Sequence, residues 1–187
     1  MYNFSNLSDY EFERLCKDIM QKRLGCELHT FAQGRDGGID ITDDPVTNHI
    51  VIQVKRITKG SFASLRRKLK DELDKVKQLK PDRYCICCSM ELTAANKKEI
   101  YEMFTPYMQS AGDILAYSEL NDFLEMAENA EIVRKHYKLW LDSTNVLNEL
   151  LNQKIFIDCE SLLYNMDEYQ KEFVDTDCYK ECIKILE

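Results

Sequence analysis

Proline and glycine are scarce in this 187-residue sequence, three and six respectively, which excludes a collagen-like repeat and the composition of a disordered linker. No apolar run goes beyond a few residues, Ile50-Val51-Ile52 being typical. A membrane helix needs roughly 20, so no segment is expected to cross a bilayer. The first residues, Met1-Tyr2-Asn3-Phe4-Ser5-Asn6, lack the basic-then-apolar order of a secretory signal, and a cytoplasmic location is expected. Internal repeats and low-complexity stretches are absent, as is any Gly-rich loop ending in Lys-Ser/Thr that would cradle nucleotide phosphates. The three histidines, His29, His49 and His136, are scattered, and no Cys/His nucleophilic pair follows from their spacing.

What is present is the makeup of a globular chain with one sizeable core: 44% hydrophobic and 10% aromatic residues. Eight cysteines without a secretory signal, several inside helical or strand patterns, read as reduced thiols. Cys85-x-Cys87-Cys88 and Cys178-x₃-Cys182 do not make a zinc site, because strand alternation turns Cys85 and Cys87 one way and Cys88 the other. The formal charge of −8 counts against nucleic-acid binding when taken for the whole chain. Divided by region it changes meaning. Residues 1–117 hold 18 basic against 17 acidic side chains, whereas residues 118–187 hold seven against sixteen.

Ser8-Asp9-Tyr10-Glu11 fits a capping box and opens a helix over 9–24, with Phe12, Leu15, Cys16, Ile19 and Met20 on its buried face, Glu13 beside that face and Gly25 at its end. Residues 26–33 read as a strand, Gly34 to Gly38 as a turn, Ile39-Asp40-Ile41 as the next strand and residues 50–55 as a third, together a meander. A helix follows over 61–79 with a stripe of Phe62, Leu65, Leu69, Leu73 and Val76, closed by Pro81. A strand over 84–88, a helix over 93–104 and a last strand over 113–117 complete a pattern that suggests parallel crossovers. Beyond residue 118 the patterns are helical, which places an α/β domain at 1–125 and an all-helical extension at 126–187.

The informative stretch is Gly34-Arg35-Asp36-Gly37-Gly38-Ile39-Asp40, then twelve residues, then Gln53-Val54-Lys55. Alternate strand residues point the same way, so Gln53 and Lys55 share one face while Val54 turns into the core. If the preceding strand pairs with it, Asp40 comes close to both. A carboxylate, an amide oxygen and an ammonium would then converge. Mg²⁺, or Mn²⁺ in its place, takes such oxygen ligands and keeps positions for water and substrate phosphate. Asp40 and the Gln53 oxygen suit that role, with Glu13 as a further carboxylate, and Lys55 would orient the attacking water or stabilise charge on the phosphorus oxygens. This is the chemistry of phosphodiester hydrolysis.

These motifs resemble the restriction-endonuclease-like, or PD-(D/E)xK, nucleases and in particular their Mrr-like branch: a helical Phe12-Glu13, then Gly34 to Asp40 as Gly-x-Asp-Gly-Gly-x-Asp, then Gln53 to Lys55 as Gln-x-Lys. The resemblance covers roughly residues 7–117. It implies a mixed β-sheet core flanked by helices, Mg²⁺-dependent cleavage of DNA, and catalytic roles for Glu13, Asp40, Gln53 and Lys55. Two departures from the wider pattern are that no Pro precedes Asp40 and that Gln53 stands where many relatives carry Glu or Asp, although the Mrr-like branch commonly has Gln there. Asp36, Gly37 and Gly38 are expected to shape the turn or support the ligands from behind. The segment from His136 to Thr144 further resembles the linker that follows such nucleases in bacterial antiviral STAND NTPases. That likeness implies an effector domain of a larger self-associating protein.

Residues 55–83 hold eleven basic against four acidic side chains. Lys59, Arg66, Arg67, Lys68 and Lys70, directly after the catalytic strand, are therefore expected to meet the phosphates of double-stranded DNA, which adds affinity without sequence readout. The competing expectation is a catalytically inactive nuclease-fold module that binds DNA or mediates assembly.

Overall fold

Helix α1 (Asp9–Leu24) starts where Ser8 and Glu11 cap one another: the Ser8 hydroxyl accepts from the Glu11 N–H at 3.2 Å and the Glu11 carboxylate accepts from the Ser8 N–H at 2.8 Å. Its buried residues are the five that the sequence spacing marks, and Gly25 ends it in the left-handed conformation at φ +67°. Three strands follow, β1 (His29–Thr30), β2 (Ile41–Thr42) and β3 (Ile50–Lys55), paired antiparallel with Ile41 opposite Ile52. Helix α2 (Phe62–Leu79) then crosses to β4 (Arg83–Cys88), which lies parallel to β3 with Lys55 opposite Cys88. Helix α3 (Ala94–Phe104) makes a second crossover to β5 (Ile114–Leu115), parallel to β4. Helices α4 (Tyr117–Glu125), α5 (Ala130–Lys135) and α6 (Lys138–Leu141) follow.

The structure is a computed structural model that describes residues 1–31, 39–141, 159, 160 and 162. The chain divides into two compact units, Met1–Trp140 and Leu141–Glu187. In the second, Cys159, Glu160 and Leu162 are helical and solvent-exposed. Most of the expected helical extension lies outside the described residues. No helix among the described residues is long and apolar enough to cross a membrane.

The five strands stand in the order β1-β2-β3-β4-β5. An antiparallel meander is thus joined to two right-sized parallel crossovers, and helices cover both faces, which is the restriction-endonuclease-like α/β architecture. Strand alternation divides the core. Ile52, Cys85, Cys87 and Leu115 face α1 and α4, packing with Phe12, Leu15, Ile19 and Leu120. Val51, Tyr84, Ile86, Cys88 and Ile114 face α2 and α3, packing with Leu65, Leu69, Val76, Ile100 and Phe104.

Three strands depart from their sequence patterns: β2 pairs only over Ile41–Thr42, so that Ile39 and Asp40 precede it, and two others are shorter. Within residues 26–31 only His29–Thr30 pairs as strand. The last strand loses both ends of 113–117: the Asp113 carboxylate is turned to Arg83 and to the N–H groups of Gln109 and Ser110, while Tyr117 already belongs to α4, whose Glu119 carboxylate accepts from the Ala116 N–H at 3.0 Å. Local carboxylate hydrogen bonds therefore compete with strand pairing at each end.

Candidate active site

The antiparallel register that puts Ile41 opposite Ile52 continues to put Asp40 opposite Gln53. Asp40 Oδ2 accepts from the Val54 N–H at 2.6 Å and from the Gln53 side-chain NH₂. Gln53 is buried and Val54 packs into the α1-side core, so Gln53 and Lys55 share the opposite face, the one covered by α2. Gln53 turns its amide NH₂ to Asp40, because a carboxylate can only accept, and a neighbouring amide meets it with donors.

Asp40, Val54 and Lys55 open onto a cleft of about 250 Å³ that is also lined by Asp9 and Glu13 of α1, by Arg56 and by Lys68 of α2. Glu13 is half-buried beside the apolar face of its helix, as its place between Phe12 and Leu15 requires. Asp40, Glu13 and Lys55 therefore reach one cleft from the residue before β2, from α1 and from β3. Gln53 sits behind it, in contact with Asp40.

Lys55 Nζ donates to Glu72 Oε1 of α2 at 3.0 Å, and Glu72 Oε2 accepts from Lys75 at 2.8 Å. The side chains of Lys55 and Glu72 are only 18% and 13% exposed. Burial pushes the Glu72 carboxyl up, but hydrogen bonds from Lys75 and Lys55 outweigh it and hold the group below its ordinary value. At the rim, Arg56 Nε contacts Asp9 Oδ1 at 2.5 Å. Beneath lies Tyr84, stacked on Phe104 at 4.8 Å between ring centroids, its hydroxyl buried without a hydrogen-bond partner. Desolvation and the nearby carboxylates of Glu72 and Asp40 raise the Tyr84 phenol well above its usual range.

Another cleft of about 260 Å³ borders α1, lined by Tyr10, Glu11, Arg14 and residues of α5 and α6. Several of its charges are paired. Lys138 donates to Glu11 and holds that carboxyl down to about 2, and His136 and Lys135 both contact Asp18. The cleft at the end of β3 gathers the carboxylates of Asp9, Glu13 and Asp40 around Lys55.

The expected DNA-contacting residues separate by surroundings. Lys68 lines the cleft, while Lys59, Arg67 and Lys70 are exposed. Arg66 is engaged by Glu99 of α3. Asp36, Gly37 and Gly38 lie outside the described residues. Sequence reasoning missed Asp9, Arg56 and Glu72. The signal for Glu72 was available: with Leu65, Leu69 and Val76 it keeps the three-and-four spacing of the buried stripe.

The donor set fits a hard divalent cation. Asp40 and Glu13 would supply carboxylate oxygens, and the Gln53 amide would supply an oxygen after rotation about its terminal bond. Among the described residues no three His, Cys, Asp or Glu side chains cluster as an all-protein metal cage. A cation that keeps water and phosphate oxygens in its coordination sphere matches this arrangement.

An antiparallel meander joined to two parallel crossovers makes this a restriction-endonuclease-like α/β fold. The chain belongs to the restriction endonuclease family with the Mrr catalytic domain, which it matches over residues 4–104. It is also similar to an uncharacterized protein, y4cD, of Sinorhizobium fredii, with 33% identity over 154 residues, 82% of this chain and 24% of that protein. The chain thus spans about a quarter of that relative's length. No solved structure matches.

Proposed function

We propose that this chain is the DNA-cleaving domain of a larger protein, an endodeoxyribonuclease that requires Mg²⁺, with Mn²⁺ as a substitute, and reads little sequence. The observation that carries this reading is the cleft at the end of β3, where Asp40, Glu13 and Lys55 meet beside Lys68. Asp40, Glu13 and the rotated Gln53 amide are assigned to the cation. When bound, the cation polarises a phosphate oxygen and makes water a better nucleophile.

The remaining work falls to the chain's own groups. The Asp40 carboxylate is aimed by the Val54 N–H, which keeps one of its oxygens fixed against the strand. Lys55 presents an ammonium that orients water and offsets the negative charge gathering on the phosphate oxygens. Lys59, Arg66, Arg67, Lys68 and Lys70 contact backbone phosphates, which positions the duplex without selecting bases. Asp36, Gly37 and Gly38 shape the turn before Asp40.

Residues 1–125 make up the nuclease part, and residues 126–187 an extension toward a downstream module. Helices α5 and α6 begin that extension against α1, through Lys135 and His136 on Asp18 and Lys138 on Glu11. The greater length of y4cD supports a parent protein with further parts. In such a protein the domain acts in the cytoplasm as an antiphage effector, and self-association brings two sites together. One site cuts one strand, so clustering converts nicking into double-strand cleavage.

The test is cleavage of supercoiled plasmid by the full chain, alone and joined as an induced dimer, with Mg²⁺ or with chelator. Mg²⁺-dependent nicking is expected, with linear product from the dimer. Asp40→Ala and Lys55→Ala are each expected to lower the rate by roughly 10²–10³-fold. Equal cleavage by these variants, or cleavage in chelator, overturns the assignment.

A further inference from the structure

We infer that Glu72 is the positioning residue for Lys55: a carboxylate from the otherwise basic helix α2 that fixes the active-site ammonium at the floor of the cleft. The inference rests on the nuclease reading above and deepens it. Of the four acids within residues 55–83, Asp71 and Asp74 are exposed on α2 and Asp82 lies after it, whereas Glu72 is turned inward. It stands on the same stripe as Leu65, Leu69 and Val76, so helix geometry aims it at the sheet. On β3, Lys55 follows Val51 and Gln53 on the face that α2 covers, so strand geometry aims it at the helix.

The two meet at 3.0 Å, with both side chains largely shielded from water. A lysine on a four-carbon stem has many rotamers, and holding it costs conformational entropy that an unpaired ammonium does not recover. A second cation, Lys75, fixes the far oxygen of Glu72 at 2.8 Å, so the carboxylate is itself held in place. The result is a fixed relay Lys75–Glu72–Lys55. Its inner end faces the cleft shared by Asp40 and Glu13. A displacement of about 1 Å in such a group costs roughly 10²-fold in rate.

Two measurements on the full chain test this. The first needs no activity: proton–nitrogen NMR of lysine ammonium groups in ¹⁵N-labelled protein, with the Lys55 signal assigned by its loss in Lys55→Arg. A shielded, hydrogen-bonded ammonium exchanges slowly, so a Lys55 signal is expected in the parent chain, lost in Glu72→Gln and at least partly restored in Glu72→Asp. Persistence of the signal in Glu72→Gln overturns the inference. The second is Mg²⁺-dependent plasmid cleavage. Glu72→Gln is expected to lower kcat about 10²-fold while KM stays within about twofold, with partial rescue in Glu72→Asp. Unchanged kcat, or a loss confined to KM, overturns it as well. If Lys55→Ala cleaves as well as the parent, the nuclease-site reading fails instead, and the ammonium signal still decides whether Glu72 fixes Lys55.

Discussion

The two ends of β3 and β4 each carry a shielded ion pair, and the two pairs are built differently. At the beginning of β4, Arg83 grips Asp113 through Nε and Nη2, at 3.0 and 2.6 Å. The other Asp113 oxygen accepts from the N–H groups of Gln109 and Ser110, at 2.8 and 3.3 Å, and the side chain is 0% exposed. Every face of that carboxylate is taken by protein donors. At the end of β3, Lys55 meets Glu72 and also borders an open cleft with Asp40, Glu13, Asp9 and Lys68. A closed pair holds elements together. A pair that opens on a cleft keeps a charge available to something that enters it.

The largest effect that separates the two ends is on stability. Asp113→Ala removes one partner and leaves the Arg83 guanidinium without its carboxylate, and it is expected to cost about 3–5 kcal/mol. Urea denaturation read by circular dichroism measures it. Glu72→Gln, at the open end, is expected to cost less than half as much, because an ammonium released from residue 72 can turn into the cleft and be solvated there. Equal losses would erase the distinction between the two ends.

A smaller effect concerns acid. The Glu72 carboxyl titrates below its ordinary 4.5 in the folded chain. Its contribution is therefore complete above that value and disappears as pH falls through the lowered folded value. Urea midpoints of the parent and of Glu72→Gln are expected to converge as pH drops below about 4.5. A gap that stays constant into acid would show that Glu72 contributes by packing and not by charge.

The smallest effect tests the basic surface that flanks the cleft. Lys68→Ala is expected to weaken binding of non-cleavable duplex DNA evenly across sequences and to reduce the salt-dependence slope by about 1. Arg66→Ala is expected to change that slope less, because Glu99 already engages Arg66. The reverse order would move the DNA path from the cleft toward α3.

Much of this molecule is legible along the chain because it depends on local order. The Ser8 and Glu11 cap, the buried face of α1, the left-handed Gly25 and the alternation through Gln53, Val54 and Lys55 all follow from neighbours a few residues apart. The strand ends at 114–115 were less legible, because the Asp113 and Glu119 carboxylates drew the backbone into other hydrogen bonds. The candidate carboxylates and lysine could be named from spacing. The orientation of the Gln53 amide could not, since it depends on the carboxylate placed opposite by strand register.

The sequence by itself determined which residue types are available, which faces of helix and strand they occupy, and that the excess acid lies beyond residue 118. Only the tertiary structure decided the partners. Glu72 reaches Lys55 because the α2 crossover lays one helix face over one strand face, and Asp9 reaches Arg56 because α1 begins beside the end of β3. Such pairs join residues 17 and 47 positions apart. Local propensity carries no information about which distant side chains packing will bring within hydrogen-bond range.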